Sequence, residues 1–432
     1  MLRLGFAEVD ITPDRPVELV GFHRDDNRSK GVLKPLLAQT AVWETDERCC
    51  LITVDSIGFT KELTDAMRAR AGRILRVSPE KVMVCFSHTH SAPEADFERE
   101  YYEETCARIE KAVSGALENM EPAAAGWGNA KACIGVNRRK VSDETDDRIG
   151  ILKVCRTADG TPKLLVLRVT AHANVLKRDN CMISPDYFGN VRETAGKKFG
   201  CPVMVIQGAA GNTAPKYFCS AETPVDAAGD RYIRSKTALQ DMADLITAGA
   251  AEIYGNILPQ EDCAVQMYSR WVRLESEVPS REEALRVAEE ARILCGITDH
   301  GWADKVNRLN EAGVHVQEED VEIQYFSVGE GCFCGGPYEL MVGFALEAER
   351  LMRNEYFYVN GYTNGNLLYF PTEEEYDAGG YEVFWSMLIY WPYVDRVYPF
   401  RRESASKLIR FMTENAPEGC RHGGEAEAWR NG

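Results

Sequence analysis

The sequence has no run of roughly 20 apolar residues, no excess of basic residues, no Pro-rich or low-complexity tract and no internal repeat, and it carries only 7 histidines in 432 residues. Each absence removes a class of protein. Without the long apolar run there is no candidate membrane span. The opening Met1-Leu2-Arg3-Leu4-Gly5-Phe6-Ala7-Glu8-Val9-Asp10 lacks the apolar segment of about 7–15 residues that marks a secretion signal, so the chain reads as cytoplasmic. A formal charge of −17, from 50 Lys and Arg against 67 Asp and Glu, argues against nucleic acid, whose phosphates are gripped by basic stripes. The same balance argues against a polybasic hold on anionic lipid. Fourteen cysteines at this length are too sparse for a disulfide scaffold, and in a reducing compartment most are expected free and buried. Cys49-Cys50 fall inside an apolar run and read as core, and Cys332-Phe333-Cys334 is weak evidence for a thiolate site.

What is present is an alternation of two periods. Short apolar runs at Leu4–Asp10, Leu37–Glu44, Leu51–Asp55, Val82–Phe86, Ile149–Cys155, Leu164–Thr170 and Val203–Gln207 predict strands. Between them, Lys61–Leu75 places Leu63, Met67, Ala71 and Ile74 on one helical stripe, and Tyr101–Leu117 repeats the pattern. Strands interleaved with amphipathic helices predict an α/β fold. After Lys216 the character changes, with charged helices predicted at Asp230–Ile253 and Ser280–Leu294 around a strand at Cys263–Leu274. A helical insertion at about 218–310 is therefore expected inside one catalytic unit spanning 1–432. Strand signals return at Val321–Val328 and Tyr356–Gly361, with a helix between them at Tyr338–Met352 and a closing helix at Glu403–Met412.

Chemistry concentrates at the ends of these strands. Ser87-His88-Thr89-His90-Ser91-Ala92-Pro93 follows the run Val82–Phe86 and sets two histidines one residue apart. Neutral imidazoles on a rigid strand end can hold a divalent cation. Taken alone, the pair reads equally well as one hydrogen-bonded core histidine and one facing solvent. A third histidine, His172, follows the strand Leu164–Thr170, and strand ends in α/β sheets are where loops gather into sites. Val203–Gln207 leads into Gly208-Ala209-Ala210-Gly211-Asn212-Thr213-Ala214-Pro215, a small-residue loop whose glycines permit close backbone approach to a ligand. A plain tight turn is the alternative, and no P-loop lysine follows.

These pieces together resemble the catalytic domain of the neutral/alkaline non-lysosomal ceramidase family. The resemblance runs in order through Ala7-Glu8-Val9-Asp10-Ile11-Thr12-Pro13, Val17-Glu18-Leu19-Val20-Gly21-Phe22, Thr89–Pro93, Asn137-Arg138, His172, Ser184-Pro185-Asp186-Tyr187, the Gly211 loop, Asn364-Gly365-Asn366-Leu367-Leu368-Tyr369 and Gly380-Tyr381-Glu382. It implies a mixed-sheet α/β catalytic domain and hydrolysis of an amide by one zinc ion. Carried over by position, it makes His88 and His172 zinc ligands and Tyr369 a third, weaker one. His90 becomes the acid or base beside the metal, and Arg138 and Tyr381 bind the substrate carbonyl or its oxyanion. Asp186 is expected to orient His172 or to serve as a second base, because metal-bound histidines usually donate their other N–H to a carboxylate or carbonyl.

Two departures fall in the site. The family's Gly-Glu-Pro turn carries a glutamate ligand, whereas this chain has Gly335-Gly336-Pro337. Glu339, three residues on, or Cys334 would have to substitute, and otherwise the metal is short of a ligand and is bound weakly or replaced by another divalent ion. The family's serine before the loop proline is Ala214 here. No immunoglobulin-like strand set is expected after Met412. The first reading is thus a metal-dependent hydrolase of a small soluble substrate. The alternatives are a catalytically impaired binding protein with the same fold, or a glycoside hydrolase using Asp186 and a glutamate as a carboxylate pair. The aromatics Phe384, Trp385, Tyr390, Trp391 and Tyr393 would wall a pocket, build core, or form a homo-oligomer contact.

Overall fold

The computed structural model describes residues 1–139, 141–217 and 236–421. Its largest sheet has eight strands in the order β4 (Val82–Phe86), β3 (Arg48–Val54), β2 (Leu37–Glu44), β1 (Arg3–Asp10), β5 (Glu121–Lys131), β7 (Arg148–Arg156), β8 (Pro162–Val169) and β9 (Val203–Gln207). The pairing is antiparallel through the middle and parallel at both ends, where β3 meets β4 and β8 meets β9. Parallel neighbours need a crossover; α1 (Lys61–Leu75) supplies the first and α3 (Tyr187–Phe199) the second. Two-residue and three-residue ladders join β6 (Gly135–Asn137) to β10 (Thr213–Pro215) and β14 (Glu339–Leu340) to β16 (Tyr369–Phe370). A second sheet orders β11 (Val265–Glu277), β12 (Val316–Val328), β13 (Gly331–Gly335) and β15 (Phe357–Asn360). The remaining helices are α2 (Arg99–Glu118), α4 (Lys236–Tyr254), α5 (Arg281–Cys295), α6 (Trp302–Glu311), α7 (Val342–Met352), α8 (Glu373–Ala378), α9 (Met387–Val394) and α10 (Ser404–Glu414).

Strand period explains how these elements stack. In β3, Cys50, Ile52 and Val54 face a core shared with α1 and α2, while Cys49 and Leu51 face a second core with Met267, Phe326, Phe333 and Tyr358 of the smaller sheet. β4 divides the same way, with Val84 and Phe86 on one side and Met83 and Cys85 on the other. Strands buried on both faces read as continuous apolar runs, which is why these two stood out in the sequence. The two sheets therefore lie face to face with helices outside: α3 and α4 also cover the large sheet, and α7 and α10 cover the small one.

α1 occupies the span its apolar stripe predicted, and β2, β4 and β9 begin and end as expected. β5 was not anticipated. Its sequence, Glu-Pro-Ala-Ala-Ala-Gly-Trp-Gly-Asn-Ala-Lys, has little β propensity, yet small residues are needed there: a Cβ at Gly128 would lie 2.5 Å from Ile257 Cδ1. The helix predicted from Tyr338 starts only at Val342, because Glu339 and Leu340 pair with β16. Of the region expected as a helical insertion, 218–235 lies outside the described residues. The rest contributes α4 to the core of the large sheet and β11 to a 13-residue ladder with β12, while α5 and α6 enclose a small separate cluster. Cys332 and Cys334 are buried on β13. No helix among the described residues is long and apolar enough to cross a membrane.

A buried ion pair ties the layers at one edge. Arg68 of α1 sends two N–H groups to the Glu322 carboxylate of β12, at 2.9 and 2.8 Å, and Ser269 Oγ donates to it at 2.6 Å. Burial opposes the charge on Glu322, but Arg68 and Lys61 outweigh it and hold its carboxyl down to about 2. Glu322→Gln leaves Arg68 buried without its main partner and should cost about 3 kcal/mol at neutral pH, measured by urea unfolding. Because the folded carboxyl titrates below its unfolded value, this stability is complete above about pH 4.5 and is lost as pH falls toward 2. The gap between wild type and variant should therefore close on acidification, and a gap that stays constant to pH 3 would contradict the assignment.

Candidate metal centre

The histidines sit just past the C-terminal ends of β4 and β8. His88 has φ +59°, a conformation costly for a residue with a Cβ and held only where the surroundings impose it. Ser87 N donates to Val54 O, and the His88 ring stacks on Tyr362 at 4.2 Å. His88 Nδ1 is 2.8 Å from Ile57 O, and His172 Nδ1 is 2.7 Å from Ala210 O. A carbonyl oxygen only accepts, so both Nδ1 atoms carry a proton, and in the neutral form of these rings both Nε2 atoms keep their lone pairs.

Those lone pairs converge on one carboxylate. Glu339 Oε2 is 3.3 Å from His88 Nε2 and 3.1 Å from His172 Nε2. His90 Nε2 lies 3.3 Å from His88 Nε2. A tetrahedral zinc ion with bonds of 2.0–2.1 Å sets its ligand atoms about 3.3 Å apart, so the spacing suits such an ion. Ligand atoms of His88, His90 and His172 all lie within 4.8 Å of one another, and all three residues are buried. His172 Nε2 and His90 Nδ1 are buried with no hydrogen-bond partner. A buried donor set with unused lone pairs fits a metal ion.

The charge states agree with that use. Burial alone would raise the Glu339 carboxyl, and positive charge at His88 and His172 lowers it well below the usual carboxylate range, a charge that a bound metal ion would supply where the imidazoles are neutral. Burial, and then the Arg138 guanidinium, push His172 down to about 4. Burial followed by His88 and His172 pushes His90 well below its ordinary value. Metal ligation requires such deprotonated donors.

Glu339 reaches the site by a strand register, not by the helical step expected from sequence. It stands opposite Tyr369 in the β14–β16 ladder, its N–H donating to Leu368 O at 2.8 Å. The Gly211 loop presses on the back of this ladder: Gly211 N donates to Leu340 O at 2.8 Å, and a Cβ at Gly211 would lie 2.4 Å from Glu339 O. The loop glycine thus serves packing of backbone on backbone. Gly336 cannot supply a carboxylate, and it is Glu339 that brings one to His88 and His172. Cys334 is buried within β13.

Other predicted residues gather around this centre, with one exception. Arg138 Nη2 donates to Gly211 O at 2.8 Å and to Tyr369 Oη at 3.2 Å. The Tyr369 and Tyr381 rings are 5.9 Å apart. Burial raises the Tyr369 phenol well above its ordinary value and pushes Tyr381 up to about 12, so both stay protonated donors. Asp186 does not orient His172, whose Nδ1 is taken by Ala210 O. Its carboxylate instead accepts from the N–H groups of Val175, Leu176 and Tyr187 and caps α3. Three backbone N–H donors thus hold its two oxygens, and burial raises the carboxyl to about 6. Ala214 is buried on β10. Phe384, Trp385 and Trp391 pack on the cluster of α5 and α6.

Three further neighbours were not anticipated. Tyr362, itself at φ +53°, donates from its hydroxyl to Glu339 Oε2 at 3.1 Å. The segment Val17–Phe22 passes over His90: Phe22 lies 4.7 Å from the ring, and a Cβ on Gly21, at φ +91°, would lie 2.5 Å from it. Arg24 Nη2 donates to His90 O at 2.6 Å. Only the run Val17–Phe22 carried a sequence signal, and tyrosine in Gly361-Tyr362-Thr363 carries none.

Fold and site together define an α/β protein with a buried histidine–carboxylate group able to hold a metal ion. The solved structures show which fold this is. The neutral ceramidase from Pseudomonas aeruginosa superposes with a TM-score of 0.71 over 98% of this chain and 76% of its own, at 17% identity. A structure described as ceramidase complexed with C2 gives 0.71 over 95% of this chain and 74% of its own, at 16% identity. The chain therefore has the neutral ceramidase fold, in a divergent sequence. No protein-family model and no curated protein matches it.

Removal of Glu339 provides the test of this centre. Tyr362→Phe, which strips one outer hydrogen bond, should weaken metal binding roughly 10-fold, and Glu339→Gln should exceed the roughly 100-fold upper range of such outer effects. Competition with a chromophoric chelator measures both. Wild-type affinity in Glu339→Gln would show that the carboxylate is not a ligand.

Proposed function

We propose that the protein is a zinc hydrolase that cleaves an amide or related bond in a small soluble molecule. The observation that carries this reading is the convergence of His88 Nε2, His172 Nε2 and Glu339 Oε2 beside Arg138 and two protonated tyrosines. His88, His172 and Glu339 would hold the ion, with Tyr369 as a weaker further ligand. A zinc ion there would supply Lewis acidity, polarising a carbonyl and acidifying water.

The chain's own groups divide the remaining work. Glu339 Oε2 touches both His88 and His172, while His90 touches His88 from one side under Phe22. The family resemblance gives His90 the role of proton carrier, and burial keeps it neutral, able to accept a proton from water and pass it to the leaving amine. Arg138 and Tyr381 donate to the carbonyl oxygen as negative charge develops there, and being held in advance they need no reorganisation.

The binding-protein alternative rested on Gly336 together with Ala214; Glu339 brings to the histidines the carboxylate that Gly336 lacks, while Ala214 still stands where the resemblance places serine. The glycosidase alternative rested on Asp186 and a glutamate as a carboxylate pair, and three backbone N–H groups at the start of α3 and before it hold the Asp186 carboxylate. The alanine at 214, where the family resemblance places serine, and the acidic composition favour a small soluble substrate over a membrane sphingolipid.

The purified protein should hydrolyse members of a panel of soluble N-acyl amines, lose activity to a chelator and regain it with zinc. His90→Asn should retain metal and lose roughly 10²–10⁴ in kcat. A zinc-loaded protein inactive on amides but active on glycosides would overturn the reading, as would a fully active metal-free His88→Ala.

A further inference from the structure

Beside the site, Arg138 belongs to a cluster of charged groups whose other members, Arg139, Glu375 and Glu382, are used by none of the steps above. Glu382 follows Tyr381 and is shared between two arginines: its Oε1 lies 3.1 Å from Arg138 Nε, and its Oε2 pairs with Arg139 Nη1. Arg139 in turn pairs with Glu375 through Nε and donates from Nη2 to Gly379 O at 2.6 Å. Glu375 Oε1 accepts from Asn212 Nδ2 at 2.9 Å, and Asn212 Oδ1 accepts from Val342 N at 2.8 Å. The network thus closes a circuit through the Arg138 loop, the Gly211 loop, the start of α7, α8 and the turn bearing Tyr381. The Arg138, Arg139, Glu375 and Glu382 side chains are 14, 8, 5 and 12% exposed, so these pairs are shielded from solvent and hold their geometry better than surface pairs do.

The turn itself is not rigid by construction. Gly379 and Gly380 enter it at φ +65° and +87°, and such backbone states are open to glycine and give it wide freedom. Beyond them the chain makes a single π-helical turn, Tyr381–Trp385, in which Phe384 N donates to Gly380 O and Ser386 N to Tyr381 O, each at 2.9 Å. The turn runs on through Ser386 into α9, where Tyr390 N donates to Ser386 O at 3.0 Å. Phe384 and Trp385 pack the turn on the α5–α6 cluster, and Glu382 is the side chain that ties it to Arg138, as an ion pair at 3.1 Å, and to Arg139.

We propose that Glu382 is a positioning residue: by bridging Arg138 and Arg139 it locks the Tyr381 turn to the Arg138 loop, so that the two donors to the carbonyl oxygen are held as one unit. This rests on the roles given to Arg138 and Tyr381 in the proposed function. Glu382 does not touch the substrate. It acts through the angle at which its neighbours meet it.

The test separates the positioning claim from the functional one. Glu382→Gln keeps the shape and loses the charge, and Arg139→Gln opens the same bridge from the other side and serves if the first variant folds poorly. Hydrogen exchange of the Phe384 and Ser386 amides should speed up about tenfold or more in either variant, while amides of β4 and β8 keep wild-type rates and zinc content is unchanged. On an amide that the wild type hydrolyses, kcat should fall about tenfold with KM within about twofold. Binding of butyrate, a carboxylate product analogue, to the zinc-loaded variant should weaken about tenfold. Unchanged exchange at Phe384 and Ser386 in both variants overturns the proposal whatever the activity. Faster exchange in a protein whose wild type neither hydrolyses amides nor binds butyrate upholds the positioning role and fails the hydrolase reading alone.

Discussion

A carboxylate with almost no solvent contact lies against two imidazoles, and a buried ionised group of this kind persists only where a cation or a full set of donors completes its shell. Among the described residues Glu339 has one hydrogen-bond donor, the Tyr362 hydroxyl, and two imidazole Nε2 atoms aimed at it. Lone pairs facing an anion are repulsive unless a positive charge stands between them. Much of the surrounding structure acts to impose that arrangement. The carbonyls of Ile57 and Ala210 fix the tautomers, His88 and Tyr362 are held at positive φ, and Gly211 lets the Glu339 strand come close.

The layered fold makes this arrangement affordable in stability. His88 and His90 extend from one end of the large sheet and His172 from near its other end, and these ends meet because Gln207 of β9 donates to Ser87 O at 3.3 Å beyond β4. Glu339 and Tyr369 arrive from the other half of the chain. Asn364 stitches that half to β4, its N–H donating to Val84 O and its Oδ1 accepting from Val84 N. The strain at the site is therefore carried by two packed sheets and their helices, the kind of rigid support a preorganised site needs.

Sequence revealed most where one residue type serves one purpose. Histidines at strand ends, the doubly buried runs of β3, β4 and β9, and the stripe of α1 were all legible, as was the neutral ceramidase resemblance that the fold bears out. It failed where small residues or short ladders carry the structure. β5 is an alanine–glycine strand chosen for space, and β14 is too short to leave a periodic signal. Glu339 was weighed only as a helical neighbour of the Gly336 turn, because its real route, a two-residue parallel ladder with β16, joins segments thirty positions apart. Asp186 misled for the opposite reason: a carboxylate near a histidine in sequence is as well suited to capping a helix.

The central claim, that Glu339 and the histidines form one metal shell, is tested most directly by X-ray absorption spectroscopy of the zinc-loaded protein. The structure predicts a first shell of nitrogen and oxygen only, at roughly 2.0–2.2 Å, with the outer scattering of at least two imidazoles and one oxygen scatterer lost in Glu339→Gln. A sulfur shell near about 2.3 Å, or a spectrum that Glu339→Gln leaves unchanged, would contradict it.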